Sequence, residues 1–413
     1  MRLLSLTLVG LLLVPAAWAQ DVLIKNATVH TMTSAGVLTG TDILMANGEI
    51  TRIGENLAGN DQTVVIDAQG RPVTPGLFAG ITVTGLAEVS AVSEAVDSHI
   101  KGLFTELMHP EFDVRDAYNP HSSVIPVTRT EGLTYALLAA TEGDRSIAGL
   151  GSLVRFDGGY DSFDGRPVLF VDIDGHSADS VGGSRAAHWM LLNQAFAERN
   201  AKDGDLSLLT PIGKRTLVEV SKRGLFVFNA HRASDIHRAL QFAAAHNIQI
   251  VIHGGREAWL VADELASANV PVVLNALENL PANFDSLGAR LDNAALLHEA
   301  GVSVIFTSGE THNARKVRQV AGSAVANGMP YEAALRAMSS EPSRVFGGQA
   351  RVIQEGALAD LVLWSGDPLE LTEGADAVII AGEVTSMETR QTRLRDRYFA
   401  PKHPLGPAYN ALP

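Results

Sequence analysis

A chain of 413 residues, 46% of them apolar, is long enough for a full-sized barrel plus a smaller satellite and too apolar for a disordered protein. A formal charge of -14 without any run of Lys or Arg excludes the basic face that nucleic acid or an anionic membrane surface requires. Cysteine is absent, which removes disulfides, thiolate metal sites and thiol nucleophiles together, so chemistry must come from His, carboxylate, Lys or Ser.

The first residues, MRLLSLTLVGLLLVPAAWAQ, carry Arg2, an apolar stretch from Leu3 to Val14 and Ala17-Trp18-Ala19. This is the pattern of a secretory signal over residues 1–19, cleaved after Ala19. The apolar run is shorter than the roughly 20 residues of a membrane span. The expectation is an exported chain, periplasmic in a Gram-negative source, with no membrane attachment after cleavage.

From Asp21 to about Thr74 the sequence reads as short strands between turns, with Asn47-Gly48 as a hairpin signal. The same texture returns in ADLVLWSGDPLE and DAVIIAGEVTSM, where Ala381-Gly382 separates apolar runs. Residues 20–74 and 350–413 are therefore expected to form one composite β-sandwich domain. Between them, over 75–349, apolar strands alternate with amphipathic helices. LFAGITVT (Leu77 to Thr84) opens the series, followed by GLFVFNAH (Gly224 to His231), IQIVIHGG (Ile248 to Gly255), VPVVLNAL (Val270 to Leu277) and GVSVIFTSG (Gly301 to Gly309). Such alternation predicts an α/β fold with a parallel sheet covered by helices, and a TIM-like (β/α)8 barrel outranks an open sheet because no Gly-rich phosphate loop follows the first strand. RPVLFVDID with the helix SRAAHWMLLNQAFAERN makes a further unit, whereas His109 to Pro126 reads as loop.

Working residues of such a barrel lie at the C-terminal strand ends. Those positions bring forward His231 and His253 after consecutive strands, with Glu310 in the polar run Ser308-Gly309-Glu310-Thr311-His312 after the last. His231, His253 and Glu310 are the candidates for catalytic or metal-binding roles, since imidazole and carboxylate suit a borderline divalent cation. Asn229, Arg232, Ser308 and His312 are candidates for substrate contacts. The bland alternative, polar strand ends bonded to loop backbone, carries equal weight on the residues alone.

RPVTPGLFAGITV resembles the first barrel strand of the metal-dependent amidohydrolase superfamily, a Pro-Gly-Leu turn followed by His-x-His. EGALADLVLWSGDPLE resembles that superfamily's return into the β domain, and ALRAMSSEPSRVFG the helix before it. The likeness spans essentially the mature chain and is strongest to the imidazolonepropionase-like branch. It implies hydrolysis of an amide or ring C–N bond by a metal-activated water. The transfer of ligands fails residue by residue. Ile81 and Val83 stand at the His-x-His positions. No lysine occurs between Lys101 and Lys202 to serve as the fourth-strand bridge. The fifth-strand histidine falls near Asn229 or His231, the sixth matches His253, and the last-strand aspartate is replaced around Thr307-Ser308-Gly309. A catalytic zinc needs about three protein ligands, and at most two survive.

Other clusters weigh less. Asp172, Asp174 and His176 alternate and would share one face of a strand end, though an acidic loop is the commoner explanation. Asp157, Asp161 and Asp164 miss the calcium-loop spacing and read as turns. Ser184 lacks a visible triad, and Gly182-Gly183 reads as a helix entry. The function expected is an exported amidohydrolase-family protein whose ancestral C–N hydrolysis has been lost with its metal site, needing no cofactor and acting as a non-catalytic ligand-binding or partner subunit. Its partners would be a small molecule, a second copy or an active amidohydrolase relative. The alternative is an active hydrolase of cyclic amides, N-acyl amino acids or dipeptides, with a divalent metal such as zinc in a reduced or relocated site.

Overall fold

The structure, a computed structural model, describes residues 20–100, 108–141, 146–180, 183–201, 207–278 and 280–399. The expected signal segment, Lys101, Gly182, Lys202 and the tail from 400 lie outside these described residues. Among the described residues, sixteen strands fall into two eight-stranded sheets. The first five are β1 (Val22–His30), β2 (Val37–Ala46), β3 (Glu49–Gly54), β4 (Val64–Asp67) and β5 (Pro72–Pro75). The barrel segment supplies β6 (Leu77–Thr82), β7 (Leu133–Leu138), β8 (Ile147–Arg155), β9 (Phe163–Asp172), β10 (Leu225–Ala230), β11 (Ile250–Gly254), β12 (Val272–Leu274) and β13 (Val304–Phe306). The chain then adds β14 (Leu361–Trp364), β15 (Ala375–Ile380) and β16 (Glu383–Val384), followed by the exposed helix Arg390–Phe399.

Strands from both sides of the barrel segment make the satellite sheet, in the order β16-β15-β14-β5-β1-β2-β3, with β4 also paired to β1. Asn47 and Gly48 have φ of 54° and 82° and join β2 to β3 in two residues, the positive-φ pair that a tight hairpin demands. Ala381 and Gly382 do the same between β15 and β16 with φ of 52° and 78°. At the joint with the barrel, Asp360 is 2% exposed and accepts hydrogen bonds from Arg351 Nη1 at 2.7 Å and from the backbone N–H of Ala381 at 2.7 Å. The Arg351 guanidinium lies 4.7 Å from the centre of the buried Tyr135 ring on β7. One buried ion pair thus ties the returning chain to a barrel strand.

The barrel sheet runs β13-β12-β11-β10-β9-β8-β7-β6. β9 through β13 are mutually parallel, as are β6 and β7. β8 runs the other way, antiparallel to both neighbours, which corrects the expectation of a helix after every strand. The reason is chain length. A parallel crossover takes a dozen or more residues, and only residues 139–146 and 156–162 join these three strands. The DGGYDSFDG segment makes the second hairpin, where Asp157 Oδ1 accepts from the backbone N–H of Gly159 at 2.9 Å and from the Ser162 hydroxyl. The reading of that segment as turns therefore stands.

The two ends of the barrel sheet meet through hydroxyls. Thr307 Oγ1, just past β13, accepts the Ile81 backbone N–H of β6 at 3.2 Å. Gly80 has a φ of +93°, and a Cβ there would lie 2.5 Å from that same hydroxyl. Glycine is thus required both by backbone conformation and by the close approach of β13. An apolar core from β6–β13 and the covering helices fills the interior, including Phe78, Phe226, Phe228 and Phe306, each fully buried.

Candidate functional site

The strand ends converge on one cavity of about 340 Å3. Registry sets its polar row. Asn229 on β10 is the Cα partner of Asp172 on β9 on one side and of His253 on β11 on the other. Because all three occupy equivalent positions in adjacent parallel strands, their side chains share a face. All three line the cavity, together with Thr82, Thr141 and Thr311. The remaining wall is apolar and includes Ile81, Val83, Phe170 and Val227.

Asp172 is 3% exposed. Its Oδ2 accepts from Asn229 Nδ2 at 3.2 Å and its Oδ1 from the Asp174 backbone N–H at 3.0 Å. The strand stops there. Asp174 turns away and accepts the Ser177 backbone N–H at 2.8 Å, at the entry to the short helix Gly175–Ser180. Asp172 and Asp174 therefore do not share a strand face, contrary to the alternation read from DIDGH; the His176 side chain lies outside what the structure describes. Asp172 was visible in the sequence only as one member of that cluster, and its pairing with Asn229 gave no sequence signal.

His253 is held neutral. Burial, and then the proximity of His231, lower its pKa to about 4. Burial likewise lowers the pKa of His231. The His231 ring lies over Gly254, where a Cβ would come within 2.3 Å of it, and its Nδ1 is buried without a hydrogen-bond partner. His231 does not line the cavity. Glu310 is turned to solvent, with Oε1 2.7 Å from Lys316 Nζ and Oε2 accepting from Asn313 at 3.0 Å. These bonds hold its pKa below the usual carboxylate range. The Ser308 hydroxyl points to the Glu310 backbone carbonyl at 3.4 Å. His312 Nε2 lies 2.9 Å from the Glu88 carbonyl and stitches two loops together. Arg232 Nη2 donates to Asp235 Oδ1 at 3.1 Å. Asp235 also receives Arg185 Nε at 2.9 Å, while the other end of Arg185 pairs with Asp285. Of the seven residues singled out for catalysis or substrate contact, the cavity brings together Asn229 and His253.

The positions at which the resemblance expects a metal offer little to one. Ile81 and Val83 present hydrocarbon, and the Thr82 hydroxyl donates to Thr311 Oγ1 at 3.1 Å, which also takes the Val83 backbone N–H at 3.3 Å. Thr307 is occupied in closing the barrel. Asp172 stands at the end of the strand where the bridging lysine would be. Among the described residues no three His, Asp or Glu side chains are grouped to hold a metal ion. The donor set does not fit the family's metal.

The Amidohydrolase family model matches residues 212–387. The amidohydrolase TasK of Hapsidospora irregularis is 23% identical over 384 residues, covering 79% of this chain and 38% of that protein. The 5'-deoxyadenosine deaminase of Methanosarcina acetivorans is 41% identical over 87 residues, 19% of this chain and 20% of that protein. The matches thus span well under half the length of either curated relative. An amidohydrolase structure from Thermotoga maritima superposes with a TM-score of 0.78 at 22% identity, covering 88% of this chain and 99% of that one. A prolidase crystallised with N-methylphosphonate-L-proline gives 0.53 at 13% identity, covering 89% and 100%. Both structures are similar to this chain in fold, and the Amidohydrolase family model matches its C-terminal part, from the helix before β10 to just past β16.

Proposed function

We propose that this chain is an exported amidohydrolase-family protein that has given up metal-dependent C–N hydrolysis and keeps the strand-end cavity to bind a small molecule. The observation that carries this is the chemistry of the wall. Hydrocarbon from Ile81 and Val83 occupies the His-x-His positions while the cavity beside them stays open at about 340 Å3, at the small end of ligand pockets. Loss of function without retention of a ligand would be expected to let side chains fill that space. Export rests on the pattern of residues 1–19. The test is elemental analysis of protein purified from zinc- and manganese-supplemented medium. Less than a tenth of an equivalent of any divalent metal is expected, and a stoichiometric ion defeats the reading.

A second reading has one observation in its favour. Asp172 and the neutral His253 line the same cavity, and a carboxylate–imidazole pair can perform acid–base chemistry. Such help contributes about 10²- to 10⁴-fold, well below what metal-assisted amide hydrolysis supplies, so it ranks second. Turnover of cyclic amides or dipeptides in EDTA, abolished by His253→Ala, would reverse the order.

A further inference from the structure

We propose that the strand-end cavity binds a small organic cation, a protonated amine on a compact apolar body, with Asp172 as its anionic partner. The inference rests on the ligand-binding reading above and names the class of ligand. Its first support is electrostatic. Among the described residues the cavity wall contains one carboxylate and no Lys or Arg. The polar neighbours of Asp172 in the wall are the Asn229 amide and the His253 ring. Nothing in the wall offsets the negative charge.

The second support is hydrogen-bonding capacity. A carboxylate has about four acceptor sites. Two on Asp172 are filled, by Asn229 and by the backbone of Asp174, and the group borders open space. An ammonium brings three donors and would meet Asp172, the Asn229 carbonyl oxygen and the unprotonated nitrogen of His253 along the row that strand register creates. A buried carboxylate gains most from a cation because its own desolvation is already spent in the folded state. An anionic ligand would meet Asp172 with no compensating charge.

The third support is the opposite wall. Ile81, Val83, Phe170 and Val227 present hydrocarbon to the same space, which suits an aliphatic or aromatic body. The substitutions that remove the family's metal ligands thus also create the apolar half of an amine site. That coupling explains why both histidine positions carry branched aliphatic residues.

The test is isothermal titration calorimetry on the EDTA-treated, dialysed chain with three probes of one shape: benzylamine, benzyl alcohol and benzoate. Benzylamine is expected to bind about 10- to 100-fold more tightly than benzyl alcohol, and benzoate not to bind. Asp172→Asn should remove the preference for the amine while leaving benzyl alcohol binding in place. Equal affinities, tighter binding of benzoate, no binding by any probe, or an unchanged preference in a folded Asp172→Asn variant would each overturn the inference. Where that variant does not fold, the wild-type ranking decides alone. A stoichiometric metal would end the metal-free reading yet leave the ranking standing, whereas an unranked probe series would end this inference alone.

Discussion

Two aspartates in this molecule sit at nearly the same depth and are treated differently. Asp360, 2% exposed at the joint between the sheets, meets Arg351 at 2.7 Å and the Ala381 backbone at 2.7 Å. Asp172, 3% exposed at the end of β9, meets an amide and a backbone N–H and borders a cavity. The first has its charge neutralised by the fold. The second is left for something else to neutralise. Burial alone therefore does not distinguish a structural carboxylate from a functional one; what it faces does.

Breaking the structural half of this comparison should give the largest effect. Asp360→Ala leaves Arg351 charged and 3% exposed, and removal of one partner from a buried ion pair costs about 3–5 kcal/mol. Chemical denaturation should read that loss as a lower midpoint with an unchanged slope. Combining Asp360→Leu with Arg351→Met should recover most of it, because an apolar pair of similar volume avoids the unpaired charge. A single variant as stable as wild type would show that the seam is held by packing alone.

The same contrast marks what the sequence could reveal. β10 and β11 were legible because a mainly apolar run followed by a helical period has one good reading. ADLVLW was legible as a strand, but the buried pair that Asp360 makes at its start was not, since Arg351 lies nine positions back with no periodic relation. The β7–β8–β9 hairpins were missed although DGGYDSFDG was read as turns. A turn between two apolar runs too close for a crossover helix implies reversal of the strand, and that step connects topology to spacing. His231 and His253 were rightly placed on consecutive strand ends, but the ring of the first lies over Gly254 and only the second lines the cavity. A side chain one residue past a strand end has left the alternation, and no pattern says where it points.

Acid titration sharpens the comparison next, because buried imidazoles answer to solvent exposure just as the carboxylates do. His188 is 2% exposed, both its ring nitrogens lack partners, and burial lowers its pKa to about 4, as for His253. The sign follows from proton uptake. Below the unfolded value near 6.5 the unfolded chain binds protons that the folded chain refuses. Stability should thus fall as pH drops from about 6.5 toward 4, by up to about 1.4 kcal/mol per pH unit for each such histidine. Urea midpoints measured across that window should decline in wild type and decline less in His188→Leu. A flat profile would place both imidazoles in contact with water.

The smallest expected effect concerns the remaining strand-end carboxylate. Glu310 lies four residues past the end of β13, whereas Asp172 is the last residue of β9, and the Glu310 side chain is 46% exposed and paired with Lys316. An exposed pair is worth about 0–1 kcal/mol, so Glu310→Gln should shift the denaturation midpoint barely beyond error. Benzylamine affinity should stay within about twofold, since at that exposure salt and water screen the charge. Both carboxylates belong to strand-end segments, but Asp172 keeps its place in the strand register while Glu310 sits on the loop beyond and turns to solvent. A loss of amine binding in Glu310→Gln comparable to that in Asp172→Asn would mean that the loop after β13 folds inward when ligand is present, and the cavity would then have two carboxylates.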